Sequence, residues 1–308
     1  QVARARRARR LLPMFLPIVD FEDGYGLSYG VRFSVPNPAG SKSRLSFPAT
    51  WGGEKRAAVE LEKTFTRGPV TRIESGASIA RRTNPFYRED DDRNRVWIRA
   101  EREMVPPLRV GATAAWERQS FAGQHGRFTE AGVDVTFDTR IDPMLPRNAI
   151  YARAAWNHLN FDRGASINRT ELDGRGYAGL FGQNVLMLRA FRSDADRPLP
   201  PYLQPMLGGT QNLRGFRAGM AVGNTLVAGS LELRVPLTSP LNIGKRGVSV
   251  FVDAGAAYGD GERLRDQTIE RAAGGGVWFS VAVIRLNLAV AHGIGAGTRV
   301  HFSTTASF

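Results

Sequence analysis

The sequence predicts an all-β protein: a transmembrane antiparallel β-barrel of about sixteen strands. Three observations carry this. No run of about 18 apolar residues occurs in the 308-residue chain, so no membrane-crossing helix can be placed. Apolar residues recur instead with period two, without heptads or long helical stripes. The alternating segments approach or exceed about ten residues, enough to cross a tilted bilayer, whereas strands of soluble sandwiches average about five or six. Their polar faces are rich in Arg, Asp and Glu, which suits a water-filled lumen of mixed charge.

In chain order, residues 1–13 form a basic N-terminal arm or linker, and residues 14–308 a single transmembrane barrel domain. The arm and the apolar stretch after it superficially resemble a signal peptide. However, Pro13 and Pro17 interrupt the apolar part, and no small-x-small cleavage pattern precedes the acidic "DFED". Alternating segments then fall near 14–22, 24–36, 43–51, 55–65, 71–83, 93–105, 109–121, 127–140, 147–161, 169–180 and 184–194. After a long loop come 225–237, 247–259, 273–282, 283–292 and 298–308. Val96, Ile98 and Ala100 oppose Arg95, Arg99 and Glu101; Val133, Val135 and Phe137 oppose Asp134, Thr136 and Asp138. Ile284, Leu286, Leu288 and Val290 oppose Arg285 and Asn287. In the last segment Val300, Phe302, Thr304, Ala306 and Phe308 oppose Arg299, His301, Ser303, Thr305 and Ser307. Turn clusters such as "NPAGSK", "RGPV" and "DPMLPRN" separate the segments. Phe86, Tyr87, Trp156, Phe161 and Tyr258 lie near strand ends, as interfacial aromatic girdles do.

Composition closes several functional classes. The chain has no Cys, hence no disulfide framework, zinc–thiolate site or thiol nucleophile. The net charge of +13 comes almost wholly from arginines spread along the chain, not clustered among stacking aromatics, so no nucleic-acid partner is expected. "GLSYG" (Gly26–Gly30) fits a nucleophile-elbow pattern, but Ser28 lies within an alternating strand, not at a strand–turn–helix corner. "GIGAGT" (Gly293–Thr298) joins two strands and precedes no helix, so it reads as a hairpin turn and not a phosphate loop. His125, His158, His292 and His301 show no metal-ligand spacing, and the "NRT" sequon at Asn168 is uninformative. No enzyme, cofactor or metal is expected.

The long loop carries "PMLGGTQNLRGFRAG", Pro205–Gly219. Leu213-Arg214-Gly215-Phe216, preceded by Gly208-Gly209, resembles the loop signature of the BamA/TamA superfamily of outer-membrane assembly and translocation barrels. Two further motifs follow in the family's order: Ser230-Leu231-Glu232-Leu233-Arg234-Val235-Pro236 and Phe251-Val252-Asp253-Ala254-Gly255. The resemblance covers roughly residues 201–308. By alternation, Glu232 and Asp253 point into the lumen from neighbouring strands. A loop folded back into the barrel would bring Arg214 to both, with Gly215 allowing the tight backbone and Phe216 packing on the wall.

The resemblance implies a bacterial outer-membrane protein that helps insert other outer-membrane proteins or lets a polypeptide cross. The device it implies is an openable seam between first and last strands, read as "GYGLSYGVRFS" (24–34) against "TRVHFSTTASF" (298–308), with Val300, Phe302 and Phe308 as a C-terminal strand signal. Implied partners are outer-membrane lipid and lipopolysaccharide, client or partner polypeptides and accessory periplasmic or outer-membrane subunits. Family members usually carry periplasmic POTRA modules before the barrel, and the arm has no room for one. The alternative is a passive barrel: a pore, a scaffold, or the anchor of a larger complex or passenger domain.

Overall fold

The computed structural model describes residues 13–143, 145–237, 244–281 and 284–306. Among them, sixteen long strands form one sheet in which each strand runs antiparallel to its neighbours. The first eleven are β1 (Met14–Glu22), β2 (Gly26–Pro36), β3 (Ser43–Gly52), β4 (Glu54–Thr64), β5 (Arg72–Thr83), β6 (Asp90–Val105), β7 (Leu108–Phe121), β8 (Gln124–Asp138), β9 (Ala149–Phe161), β10 (Ile167–Gly179) and β11 (Val185–Ala195). Two short strands, β12 (Met206–Leu207) and β13 (Ala221–Val222), pair with each other inside the connection that follows. The sheet resumes with β14 (Thr225–Leu237), β15 (Lys245–Tyr258), β16 (Glu270–Val281), β17 (Ile284–Gly293) and β18 (Gly297–Ala306). The strand count and antiparallel order match expectation, and the boundaries differ by a few residues. β6, for instance, starts at Asp90, not Arg93.

Burial is inverted relative to a water-soluble protein. Val133 and Val135 of β8 are 52% and 45% exposed, while Asp134 between them is only 5% exposed. Val96 and Ile98 on β6 and Val248, Val250 and Val252 on β15 are likewise exposed, with Phe251 and Asp253 buried. Such a surface is stable only where hydrocarbon covers it. The inner face is held by ion pairs that leap over a strand. Arg99 of β6 reaches Asp134 of β8, and Arg95 reaches Glu130 at 3.0 Å. Small residues on β7 let them pass: a Cβ added to Gly111 would strike the Arg99 guanidinium. In a wet lumen each such pair contributes little singly, about 0–1 kcal/mol, so the network orients side chains more than it stabilises the barrel.

The sheet almost closes. β1 and β18 lie side by side with less contact than any neighbouring pair, and no backbone ladder joins them among the described residues. Side chains join them instead. The Phe21 N–H donates to Thr304 Oγ1 at 3.0 Å, and the rings of Phe21 and Phe302 meet edge-on at 5.3 Å. This corrects the expected seam. The glycine-bearing segment 24–34 is not at the edge, because β2 pairs along its length with both β1 and β3. The strand facing β18 is β1, whose nine residues all find partners in β2 and so occupy the edge position.

The aromatic girdle is also corrected in part. Trp156 faces outward, but Tyr258 is buried where the long connection returns beside it, the Asn224 N–H donating to its carbonyl at 2.8 Å. Tyr87 stacks edge-on against Phe121 and Phe86, and its hydroxyl donates to Gln204 of the long connection at 2.6 Å. These rings serve the loop and not the membrane interface.

With an even number of strands, β1 begins and β18 ends at one rim of the barrel. The connections 23–25, 84–89, 122–123, 162–166, 196–224 and 259–269 all stand at the other, termed the loop end below.

Candidate functional site

The connection of residues 196–224 is pinned where it leaves and rejoins the barrel. Asn224 accepts from the Leu199 N–H and donates to the Ala195 carbonyl, both at 2.8 Å. Leu199 packs with Ile167 and Ala195, so the root of the loop has its own small apolar core. Farther along, Arg93 of β6 donates to the Tyr202 carbonyl at 2.9 Å, tying the loop to the opposite wall.

The motif stretch is shaped locally before it meets the barrel. Asn212 folds it: its Oδ1 accepts from the Gly208 N–H at 2.8 Å and its Nδ2 donates to the Met206 carbonyl at 3.0 Å, a side chain imitating a turn. Leu213 is fully buried with Leu207, Phe216, Leu226, Ala228 and Ala272. This apolar cluster sits inside an otherwise charged lumen and fixes the loop's position by burial. Gly208 and Gly209 both take positive φ, +108° and +78°. Gly215 takes φ +90°, and a Cβ there would fall 2.8 Å from the Gly293 amide nitrogen and 3.0 Å from Ala272 Cβ. Only glycine fits this position.

Arg214 points at the wall formed by β14 and β15. Its Nε and Nη2 donate to the two carboxylate oxygens of Asp253, each at 2.8 Å, a planar two-point pair. Its own backbone N–H adds a third bond to Asp253 at 3.0 Å. Nη1 donates to Glu232 at 2.7 Å and Nη2 to Ser230 Oγ at 3.0 Å, while Ser230 in turn donates to Asp253. Arg234 donates to the free oxygen of Glu232 at 2.7 Å, so two cations meet two carboxylates. The guanidinium also lies over the Phe251 ring, 3.3 Å from its centre. Burial works against its charge, but the hydrogen bonds and attraction of Asp253, then Glu232, outweigh this and hold its pKa above the usual arginine value.

The structure therefore brings together Gly208, Gly209, Leu213, Arg214, Gly215, Phe216, Glu232 and Asp253. It places Val300 and Phe302 elsewhere, on the outer face of β18, where Phe302 meets Phe21. Phe308 lies outside the described residues.

One central residue was missed by reading the sequence. His301 of β18 is only 3% exposed. Its Nε2 lies 2.8 Å from the Gly215 N–H and its Nδ1 2.6 Å from Asp23 Oδ2, in the β1–β2 turn. Because Nε2 accepts from a backbone amide, hydrogen bonding assigns the neutral ring with its proton on Nδ1. His301 thus ties the motif loop to both flanks of the seam. The available signal was its inward parity on the last strand, not any metal-ligand spacing; among the described residues no group of side chains could hold a metal ion.

A model for the Omp85 superfamily domain matches residues 23–306. Among solved structures, the chain is similar to BamA from Haemophilus ducreyi lacking POTRA domains 1–3, with TM-score 0.80 and 14% identity, over 96% of this chain and 70% of that one. CdiB from Escherichia coli gives TM-score 0.70 and 12% identity, over 96% of this chain and 62% of that one. CdiB from Acinetobacter baumannii gives TM-score 0.66 and 12% identity, over 96% and 60%. This chain thus spans less than two thirds of either CdiB. A search of curated proteins found no match. At these identities the likeness to the solved structures is one of fold.

Proposed function

Because the chain belongs to the Omp85 superfamily of outer-membrane barrels, we propose that it assists insertion of outer-membrane proteins by opening the seam between β1 and β18. The observation that carries this reading is that no backbone ladder joins β1 and β18 among the described residues. Two strand edges held together by Thr304, one pair of aromatic rings and the His301–Asp23 bond at the loop end are inexpensive to part compared with a full ladder, and a freed edge offers its N–H and C=O groups as a template for an incoming strand. Arg214, Asp253 and Glu232 act as a latch that holds the loop while the seam works, and the outward aromatic strand bearing Val300 and Phe302 serves as the chain's own assembly signal. Client polypeptides and accessory subunits follow from the same reading. Passage of a polypeptide through the barrel, the role in which translocating members serve, would use the same seam and loop. A wide passive pore is disfavoured by the loop, which touches opposite walls and leaves separate lumenal cavities of about 470 and 550 Å³.

The test uses the absence of native cysteine. Phe21→Cys with Thr304→Cys places the only two thiols on either side of the seam. In proteoliposomes, oxidation should bring insertion of a urea-unfolded barrel protein down to the rate of empty vesicles, and dithiothreitol should restore it. An unchanged rate after complete disulfide formation would eliminate the openable seam and leave the passive barrel.

A further inference from the structure

On the outer wall of β4 to β8, three successive rows of outward-facing residues change character towards the loop end. The register places Val59, Ala77, Val96, Trp116 and Thr129 in one row, an apolar belt. The next holds Ala57, Ile79, Asn94, Arg118 and Arg127, and the last Lys55, Arg81, Asp92, Ser120 and His125. Like charges stand directly opposite twice, at Lys55 with Arg81 and at Arg118 with Arg127, an arrangement unfavourable in isolation. Two of these cations are neutralised within the protein. Arg81 pairs with Asp92 and Arg127 with Asp162, the latter at 2.8 Å. Lys55 and Arg118 have no carboxylate partner among the described residues. Lys55 instead stands 4.9 Å over the ring of Trp51, an exposed aromatic at the same rim. Between them lies a groove of about 780 Å³ lined by Trp51, Lys55, Ile79, Asn94, Arg118 and His125.

We propose that this groove binds the phosphorylated headgroup of an outer-leaflet glycolipid. Unpaired cations at the upper border of an apolar belt lie where lipid phosphates lie, and a guanidinium matches a phosphate with two parallel hydrogen bonds. Ile79 and Trp116 below supply the surface for acyl chains, and Trp51 is an interfacial aromatic. The longest connections, 196–224 and 259–269, stand at this end, which in outer-membrane barrels is the extracellular one. The leaflet there is the one that carries phosphorylated glycolipid. A headgroup bridging Lys55 and Arg118 would relieve both like-charge contacts. The site rests on the barrel's place in the outer membrane and not on the insertion reading, so either can fail alone.

The full chain in zwitterionic detergent, titrated with diphosphoryl lipid A and read by native mass spectrometry, tests this. Lys55→Gln and Arg118→Gln should each weaken retention of lipid A by about fivefold, and the pair by about 25-fold. Arg192→Gln, an outward arginine that already has Asp194, should change nothing. Equal retention by the double variant would overturn the proposal, as would displacement of lipid A by an equimolar concentration of inorganic phosphate, which would make this a free-phosphate site. A second measurement needs no charge removed: a photo-crosslinking residue at Ser120 should capture lipid A in native membranes, and one at Leu172 on the far wall should not. Equal capture at both would also overturn it.

Discussion

Arg214→Ala should nearly abolish client insertion while leaving a barrel that still reaches the membrane and migrates as a folded species on unheated gels. The side chains of Asp253 and Glu232 are 2% and 8% exposed, and the variant leaves both carboxylates facing each other without their shared cation. Removing one partner of a buried pair costs about 3–5 kcal/mol, less where lumenal water reaches the survivor. That cost falls on the loop and not on the sheet, because the barrel strands keep their ladders without it. Arg214→Lys should recover only part of the activity, since an ammonium keeps the charge but cannot span both oxygens of Asp253 and reach Glu232 together. Asp253→Ala should resemble Arg214→Ala, and the double variant should be far less than additive. Additivity within error, measured as loop protection in hydrogen exchange and as insertion rate, would show that the two residues act separately and that the latch does not exist.

The second large effect belongs to His301, and its two bonds can be cut one at a time. Glutamine places an acceptor where Nε2 lies, so His301→Gln should keep the Gly215 contact and lose Asp23. Asparagine places a donor where Nδ1 lies, so His301→Asn should keep Asp23 and leave the buried Gly215 N–H without a partner, costing about 1–3 kcal/mol. The asparagine variant should therefore loosen the loop, seen as faster amide exchange at residues 213–216. The glutamine variant should loosen the seam, seen as slower disulfide formation by the Phe21→Cys, Thr304→Cys pair, whose thiols meet only while β1 and β18 lie together. Identical behaviour of the two variants would mean that His301 merely fills space.

The barrel was legible because period two is a local property. Once Val133, Val135 and Phe137 face one way, Asp134 and Thr136 must face the other. Glu232 and Asp253 were legible for the same reason: parity on adjacent strands puts them on one wall, and a motif loop supplies the arginine. What parity cannot give is which strand lies at the edge. Segments 14–22 and 24–34 both alternate, and only the register, Met14 opposite Ser34 through Glu22 opposite Gly26, shows that the first covers the second. Nor can it tell a ring at a strand end that faces lipid from one that faces a returning loop, as at Tyr87 and Tyr258. His301 stayed hidden because its partners, Gly215 and Asp23, are 86 and 278 residues away along the chain.

The loop's attachments also decide how the wall can swing. Arg214 is bonded to β14 and β15, and Gly215 to β18, so the loop and the C-terminal strands form one leaf of a door. The other leaf, the β1–β2 hairpin, meets this one through Asp23, which holds His301 of β18, and through Gly24, where a Cβ would fall 2.7 Å from Ala218 Cβ of the loop. The hinge-free path is then for the N-terminal leaf to move and for the loop to stay behind as the door frame. Spin labels at Gln211 and Asn287 should keep their separation when a client engages, whereas labels at Gln211 and Leu27 should draw apart. Were the first pair to separate instead, the loop would travel with the hairpin and the frame would lie on the opposite side.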